Sequence, residues 1–378
     1  MKLKNIQLTN FRNINALCLT AADGVNVICG ENAQGKTNLT EAIWMFTGAK
    51  SFRGAKDREL IRFGQQSCQT TISFASEQRE QTASIELFSP EAVAQGQKSK
   101  IVTLNEISLE SASELSGQFY AVVFSPADLS LIKDGPALRR KFLDTAIGQI
   151  LPRYQHYLHE YQRILLQRNT LLKDLSRFPQ LIDTMEIWEE TLAKAAAALA
   201  FCRARYVRAI APKACEIYSG ISSGRENITV SYQCGLENPQ EQTREALRAF
   251  FLEEFKRTRA GDLERGATLC GPHRDDLEIE INGMPMRLYG SQGQQRSAVL
   301  ALKMAECSMV EDVTGERPVV LLDDVMSELD SGRRDYLLNH LENRQVFITC
   351  CDDASFRELK EGKGFFIQEG NLLETCTF

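Results

Sequence analysis

The sequence predicts an α/β fold: a P-loop nucleotide-binding lobe in two sequence pieces, with a mainly helical second lobe inserted between them. Three observations lead there. An apolar, strand-like stretch, "GVNVIC", runs straight into "GENAQGKTN", from Gly30 to Asn38. Far downstream a second apolar run, "VVLL", ends in two aspartates, Asp323 and Asp324. Between the two, a β-like pattern gives way to a long helical one and then returns.

Taken in order, "LKNIQLTNF", "ALCLTA" and "GVNVICG" read as strands, and "TNLTEAIWMFTG" carries apolar residues at helical spacing. "QTTISFA", "TASIELF" and "KIVTLNEISL" are strand-like again, with "EAVAQGQKSK" read as a hairpin loop between the last two. "QFYAVVFSP" reads as a buried strand ended by Pro126. From about Leu129 to Arg259 the pattern is mostly helical, interrupted by a short β-like insert, "NITVSYQC". Breaks are expected at Pro152, Pro179, Pro212 and Gly220. β character resumes at "ATLCGPHRDDLEIEINGMPM". The expected division is residues 1–128 with 262–378 for the nucleotide lobe, and 129–261 for the helical one. No fixed-period repeat or low-complexity tract is visible.

The bulk composition narrows the class. The chain has 378 residues, 43% of them hydrophobic and 25% charged, which suits two or three globular domains. A net charge of -6 argues against polyanion binding over the whole surface but leaves room for one basic face. The 11 cysteines fall singly apart from Cys350–Cys351, and no C-x-x-C occurs, so a reducing cytoplasm without a disulfide framework or structural zinc is expected. No apolar run approaches the roughly 20 residues of a membrane span, and "MKLKNIQLTNFRN" lacks a signal core.

Gly30-x-x-x-x-Gly35-Lys36-Thr37 is a complete P-loop pattern. Its glycines let the backbone fold tightly, so that N–H groups from Gly30, Glu31, Asn32, Ala33, Gln34 and Gly35 can point at phosphate oxygens. The following helix adds the favourable potential of its N-terminus, beginning with Lys36, Thr37 and Asn38. Lys36 is expected to reach the β and γ phosphates of ATP, and the Thr37 hydroxyl to hold Mg²⁺. In "VVLLDDVMSELD" the two carboxylates emerge at the C-terminal end of a buried strand, where open α/β sheets bind ligands. Asp323 is then the magnesium aspartate, held through water or directly. Asp324 is expected to orient or deprotonate the attacking water; a pair of helix-capping aspartates fits the same residues.

A third stretch, "YGSQGQQRSAVLALKMAE", opens a long helix with Ser291, Gly293 and Gln294. A serine, a glycine and a free helix N-terminus make a second anion site. One triphosphate does not need two such sites, so the second would serve the nucleotide of a partner copy. A plain N-capped helix fits the same residues.

Together these motifs resemble the ABC-type ATPase heads of the SMC family, and more narrowly the RecF family of bacterial recombination-mediator ATPases. The resemblance rests on "LTNFRN", "GENAQGKTN", "VVFSPADL", "GPALRRKFLD", "GPHRDDLEI", "GSQGQQR" and "LLDDVMSELD", which run in order through nearly the whole chain. It implies an ABC/SMC-type P-loop ATPase head with an inserted helical lobe. It implies an ATP-dependent homodimer with Ser291, Gly293 and Gln294 of one chain closing on the nucleotide of the other. It places Arg12 and Asn13 at the nucleotide, and Ser327 and Asp330 of "SELD" in the segment near the dimer axis. It further implies binding of double-stranded DNA next to single-stranded gaps, work with RecR and RecO, and help in loading RecA.

The chain departs from the general ABC pattern at three points. Asp324 stands where glutamate is usual, Thr349 in "QVFITCCDD" where a histidine is usual, and "SPADL" replaces a glutamine after "FYAVVF". A carboxylate one methylene shorter sits further from the water, so slow turnover is expected, a switch more than an engine. An SMC-type tether would need long heptad arms, which the insert does not sustain. A transporter ATPase subunit would lack the "NFRN" region and would want the missing histidine and glutamine. A nuclease would need a further cluster of acidic metal ligands, and no convincing one is seen. His156 and His159, one helical turn apart, are read as surface or packing residues. "GPHRDDL" reads as a turn capped by Asp275 and Asp276. The basic residues of the helical lobe, Arg139, Arg140, Lys141, Arg153, Arg163, Arg168, Lys173, Arg203, Arg205, Arg208 and Lys213, are candidates for DNA phosphates as much as for a solvated face.

Overall fold

The structure is a computed structural model and describes residues 1–175, 177–351 and 362–377. The chain divides into two compact units, Met1–Asp128 with Glu306–Phe378, and Leu129–Ala305. The second unit therefore takes in "DLEIEINGMP" and the start of the Ser291 helix, which the sequence reading had drawn into the nucleotide lobe.

The first unit begins with β1 (Lys2–Phe11), β2 (Ile14–Thr20), β3 (Val25–Cys29), α1 (Lys36–Met45), β4 (Ser67–Ala75) and β5 (Glu80–Phe88). It continues with α2 (Pro90–Ala94), β6 (Lys100–Leu104), β7 (Ile107–Leu109) and β8 (Ala121–Phe124). The second unit holds α3 (Ser130–Lys133), α4 (Pro136–Ile150), α5 (Arg153–Asp174), α6 (Met185–Ile221), β9 (Ile228–Gln233) and α7 (Arg244–Arg265). It goes on through β10 (Asp276–Ile281), β11 (Met284–Pro285) and α8 (Met286–Tyr289) into α9 (Gln292–Thr314). The chain then returns to the first unit with β12 (Val319–Leu322), α10 (Ser331–His340), β13 (Val346–Cys350), β14 (Gly362–Gln368) and β15 (Asn371–Thr377).

Among the described residues, two six-stranded sheets build the first unit. One is antiparallel, in the order β2-β1-β4-β5-β6-β7. Its β4 and β5 alternate buried and less buried residues, as strands with one face on a core must. The β6–β7 turn has Asn105 and Glu106 at φ 49° and 69°, the left-handed pair that matches strand twist. The stretch read as a hairpin loop starts as α2, because Ser89 Oγ accepts the Ala92 amide at 3.3 Å and Pro90 favours a first helical turn.

The other sheet runs β15-β14-β3-β13-β12-β8, parallel from β14 to β8 with β15 antiparallel at the edge. The apolar runs "VNVIC", "AVVF", "VVLL" and "VFITC" are buried almost throughout, as parallel strands covered on both faces require. Leu3, Ile6 and Phe11 of β1, Ile43 of α1, and Val123, Leu321 and Phe347 share one core. Burying each such side chain contributes about 1.5–3 kcal/mol. This packing holds the C-terminal ends of β3, β13, β12 and β8 at one sheet edge.

The second unit is mainly helical, with one small sheet, β11-β10-β9. Pro212 and Gly220, read as breaks, lie inside the 37-residue α6. Pro152 and Pro179 do stand at element starts. An internal proline costs about 3 kcal/mol. The alanine-rich first half of α6 favours helix, and Tyr206, Val207 and Ile210 before Pro212 and Ala214 and Tyr218 after it are all buried, which holds the helix through the defect.

Burial withdraws three residues from the candidate basic face. Arg168 has no exposed side chain; it donates to Asp262 and Thr268, both at 2.7 Å, and to Glu189 at 3.3 Å. Arg203 donates to Asp144 at 2.8 Å and to the Pro272 carbonyl at 2.7 Å. Arg139 forks onto Asp276 at 2.6 and 2.8 Å. These buried guanidinium groups are held by buried or half-buried carboxylates and are not available to phosphates. Asp276 thus serves Arg139, and buried Asp275 accepts from the Tyr232 hydroxyl, so "GPHRDDL" belongs to an internal polar cluster.

Candidate nucleotide-binding site

The P-loop leaves β3 at Gly30, whose φ is 153° and where a Cβ would lie 2.2 Å from the Ile367 carbonyl oxygen. Gly35 precedes α1 at φ 113°, with room for a Cβ only 2.9 Å from Asn13 Oδ1. Both positions exclude any side chain. Lys36 is buried, and its Nζ donates to the carbonyls of Gly30 at 2.6 Å and Glu31 at 2.8 Å. The ammonium is therefore held within the loop that the motif assigns to phosphate. Cys351 lies beside it, 3.5 Å from Nζ, and its thiol donates to Asn32 Oδ1 at 3.0 Å.

Two neighbouring turns brace the loop. From the β1–β2 side, Asn13 Nδ2 donates to the Ala33 carbonyl at 3.0 Å, and Asn38 Nδ2 donates to Asn13 Oδ1 at 2.7 Å. From the β14–β15 turn, the Gly370 amide donates to the Gln34 carbonyl at 3.0 Å and the Glu369 amide to the Gln34 side chain. The sequence reading missed this second brace. Its signal was the pair "EG" between two strand patterns; Glu369 and Gly370 have φ 51° and 73°, a tight hairpin turn. Arg12 forks onto the buried Glu41 of α1 at 2.8 and 2.9 Å, so its side chain is committed to the helix behind the loop.

The two aspartates differ sharply. The Asp323 amide donates to the Phe124 carbonyl at 2.9 Å, which fixes the carboxylate beyond the ends of β12 and β8. Asp323 Oδ1 accepts from Thr349 Oγ1 at 3.1 Å and lies 3.4 Å from Thr40 Oγ1. Burial raises the Asp323 carboxyl above its ordinary pKa, and hydrogen bonds from Thr37 and Thr349 act the other way. The expected magnesium ligands Thr37 and Asp323 are therefore close enough for the Thr37 hydroxyl to influence the carboxylate. A buried carboxylate ringed by hydroxyl oxygens suits a hard cation such as Mg²⁺, and Thr37 and Asp323 would hold it.

Asp324 is exposed and left-handed at φ 55°. Its amide donates to Thr349 Oγ1 at 2.8 Å, and Ser327 Oγ donates to its carbonyl at 3.1 Å. Asp330 caps α10, accepting the Arg333 amide at 2.9 Å, and this bond with the Arg333 charge holds its carboxyl below the usual range. Thr349 was noted in the sequence only for not being histidine; here it joins both aspartates.

In the second unit, Ser291 and Gln294 form a reciprocal box at the start of α9. The Ser291 amide donates to Gln294 Oε1 at 2.7 Å and the Gln294 amide to Ser291 Oγ at 3.3 Å. Gln294 Nε2 also donates to Glu226 at 2.7 Å. Ser291 is exposed, with Gly293 and Gln294 half-buried behind it. These bonds are those of the N-capped helix that the sequence also allowed.

The model of the RecF/RecN/SMC N terminal domain matches residues 2–374. The DNA replication and repair protein RecF of Ruminiclostridium cellulolyticum is 37% identical over all of both chains. This chain belongs to the RecF family. The RecF of Bacillus subtilis is 38% identical over 99% of this chain and the whole of its own. A solved structure of the recombination mediator protein RecF with ATP, from the RecFOR pathway, matches with a TM-score of 0.89 at 35% identity, over all of this chain and 97% of its own. An SMC head bound to the C-winged helix domain of ScpA matches with a TM-score of 0.57 at 17% identity, over all of this chain and 98% of its own, and shares the fold. The RecF fold is thus the α/β ABC/SMC-type ATPase head expected from the sequence. Among the described residues no helix is long and apolar enough to cross a membrane.

Proposed function

We propose that this RecF-family chain is an ATP-gated DNA-binding protein of recombinational gap repair and replication. The observation that supports it most is the convergence of Lys36, Thr37, Asp323 and Asp324 at one sheet edge. A relative solved with ATP, similar over the full length, adds weight.

The P-loop amides bind the phosphate oxygens, and Lys36 leaves the Gly30 and Glu31 carbonyls for the β and γ phosphates. Thr37 and Asp323 would hold Mg²⁺, which would supply charge neutralisation. Asp324 orients the attacking water and accepts its proton; its short side chain makes this slow. Ser291, Gly293 and Gln294 of a second copy close on the γ phosphate, so the triphosphate cements a homodimer. Ser327 and Asp330 lie at that seam. The dimer holds duplex DNA next to single-stranded gaps and works with RecR and RecO to load RecA. DNA-stimulated hydrolysis reopens it.

The test is DNA binding across a salt series, with and without ATP, using duplex, single-stranded and gapped substrates. The reading expects ATP-dependent, steeply salt-sensitive binding strongest on the gapped form. Binding that ignores ATP would contradict it.

A further inference from the structure

We propose that the loop Lys50–Phe63 is the docking surface for DNA at a duplex–single-strand junction, and that it is tied to the P-loop through Asn38 and Glu41. This rests on the DNA-binding reading above and adds the surface and its link to the nucleotide.

The loop carries Lys50, Arg53, Lys56, Arg58 and Arg62 against Asp57 and Glu59, a net +3 in a chain of net -6. Both acids are engaged locally: Asp57 pairs with Lys100 at 2.7 Å, and Glu59 accepts the Lys56 amide at 3.1 Å. Lys50, Lys56 and Arg58 are exposed. Among the described residues none of the three side chains takes part in an ion pair with a carboxylate. Phe63, beside Arg62, is 102% exposed, the most exposed large apolar side chain of the described residues. Cations spaced along a loop suit a phosphate backbone. An aromatic ring held out in solvent beside them suits stacking on an unpaired base.

The base of the loop is fastened to the nucleotide site. Arg53 Nη1 donates to Asn38 Oδ1 at 2.9 Å and lies 3.7 Å from Glu41. The Ser51 hydroxyl donates to Glu41 and accepts the amides of Arg53 and Ala55 at 3.1 and 3.3 Å. Asn38 in turn holds Asn13, which holds the Ala33 carbonyl of the P-loop. A phosphate drawing Arg53 outward therefore pulls on the turn that braces the nucleotide loop.

The experiment compares the full-length wild type with a Lys56→Ala/Arg58→Ala double variant and with Phe63→Ala. Fluorescence anisotropy follows binding to plain duplex and to duplex with a single-stranded tail from 50 to 200 mM salt, with ATP affinity measured alongside. The double variant should lose about tenfold in duplex affinity, and its slope of log affinity against log salt should fall by about 2. Phe63→Ala should keep duplex affinity and lose about fivefold or more on the tailed substrate. ATP affinity should stay as in the wild type. Wild-type-like DNA binding by both variants overturns the loop assignment while leaving DNA binding intact. A wild type that binds no DNA overturns the functional reading and this surface together. Loss of polyglutamate binding with duplex binding unchanged would assign the loop to an acidic protein and overturn the proposal.

Discussion

The Thr349 hydroxyl accepts the Asp324 amide at 2.8 Å. The same oxygen donates to Asp323 Oδ1 at 3.1 Å, so one buried side chain ties the Asp323 carboxylate to the Asp324 backbone. Thr349→Val keeps the shape and removes both bonds. Hydrolysis should fall about 10–100-fold, the usual effect of losing a group that orients a reacting one. Nucleotide affinity should change only a few-fold, and Thr349→Ser should restore turnover. Equal loss of binding and turnover would show a merely structural role.

Gly30→Ala would push a Cβ to 2.2 Å from the Ile367 carbonyl oxygen at a φ of 153°. The loop must move off β14, and stability should fall by about 2 kcal/mol or more with loss of nucleotide binding. Gly24 has nothing within 4 Å, so Gly24→Ala should stay within about 0.5 kcal/mol. Denaturant midpoints and ATP titration distinguish the two; equal effects would contradict the packing of the loop on β14.

Arg168→Leu leaves the buried Asp262 without its cation and Glu189 with Arg259 alone. A loss of about 3–5 kcal/mol in unfolding free energy is expected. A change under 1 kcal/mol would mean the network is solvated.

Burial raises the Asp275 carboxyl from 3.8 to about 6. The folded pKa exceeds the unfolded one, so the contribution of Asp275 to stability is full below 3.8 and is lost as pH rises through 6. The shift corresponds to about 3 kcal/mol across that window. Asp275→Asn can still accept from Tyr232 and should flatten this part of the stability curve between pH 4 and 6. An unchanged curve would contradict the assignment.

Local chemistry was readable where it is written locally. The P-loop, the strand ending in Asp323 and Asp324, and the Ser291 box each depend on residues a few positions apart. What escaped depends on distant partners. β10 pairs with β9, and this pairing, invisible to a local pattern, carries "DLEIEI" into the second unit. Arg139, Arg168 and Arg203 look like any surface arginine until Asp276, Asp262 and Asp144 are packed against them. Pro212 signals a break that buried neighbours override. Thr349 and the Glu369–Gly370 turn act on the site from strands remote in sequence.

The central claim is that triphosphate is enclosed by two copies of this chain, one offering the Lys36 loop and the other the Ser291 helix. Light scattering of the wild type and of Ser291→Arg, each with saturating ATP and Mg²⁺, tests it most directly. The account predicts a dimer for the wild type and a monomer that still binds ATP for the variant. A wild type whose mass ignores ATP, or a variant that dimerises as the wild type does, would contradict it.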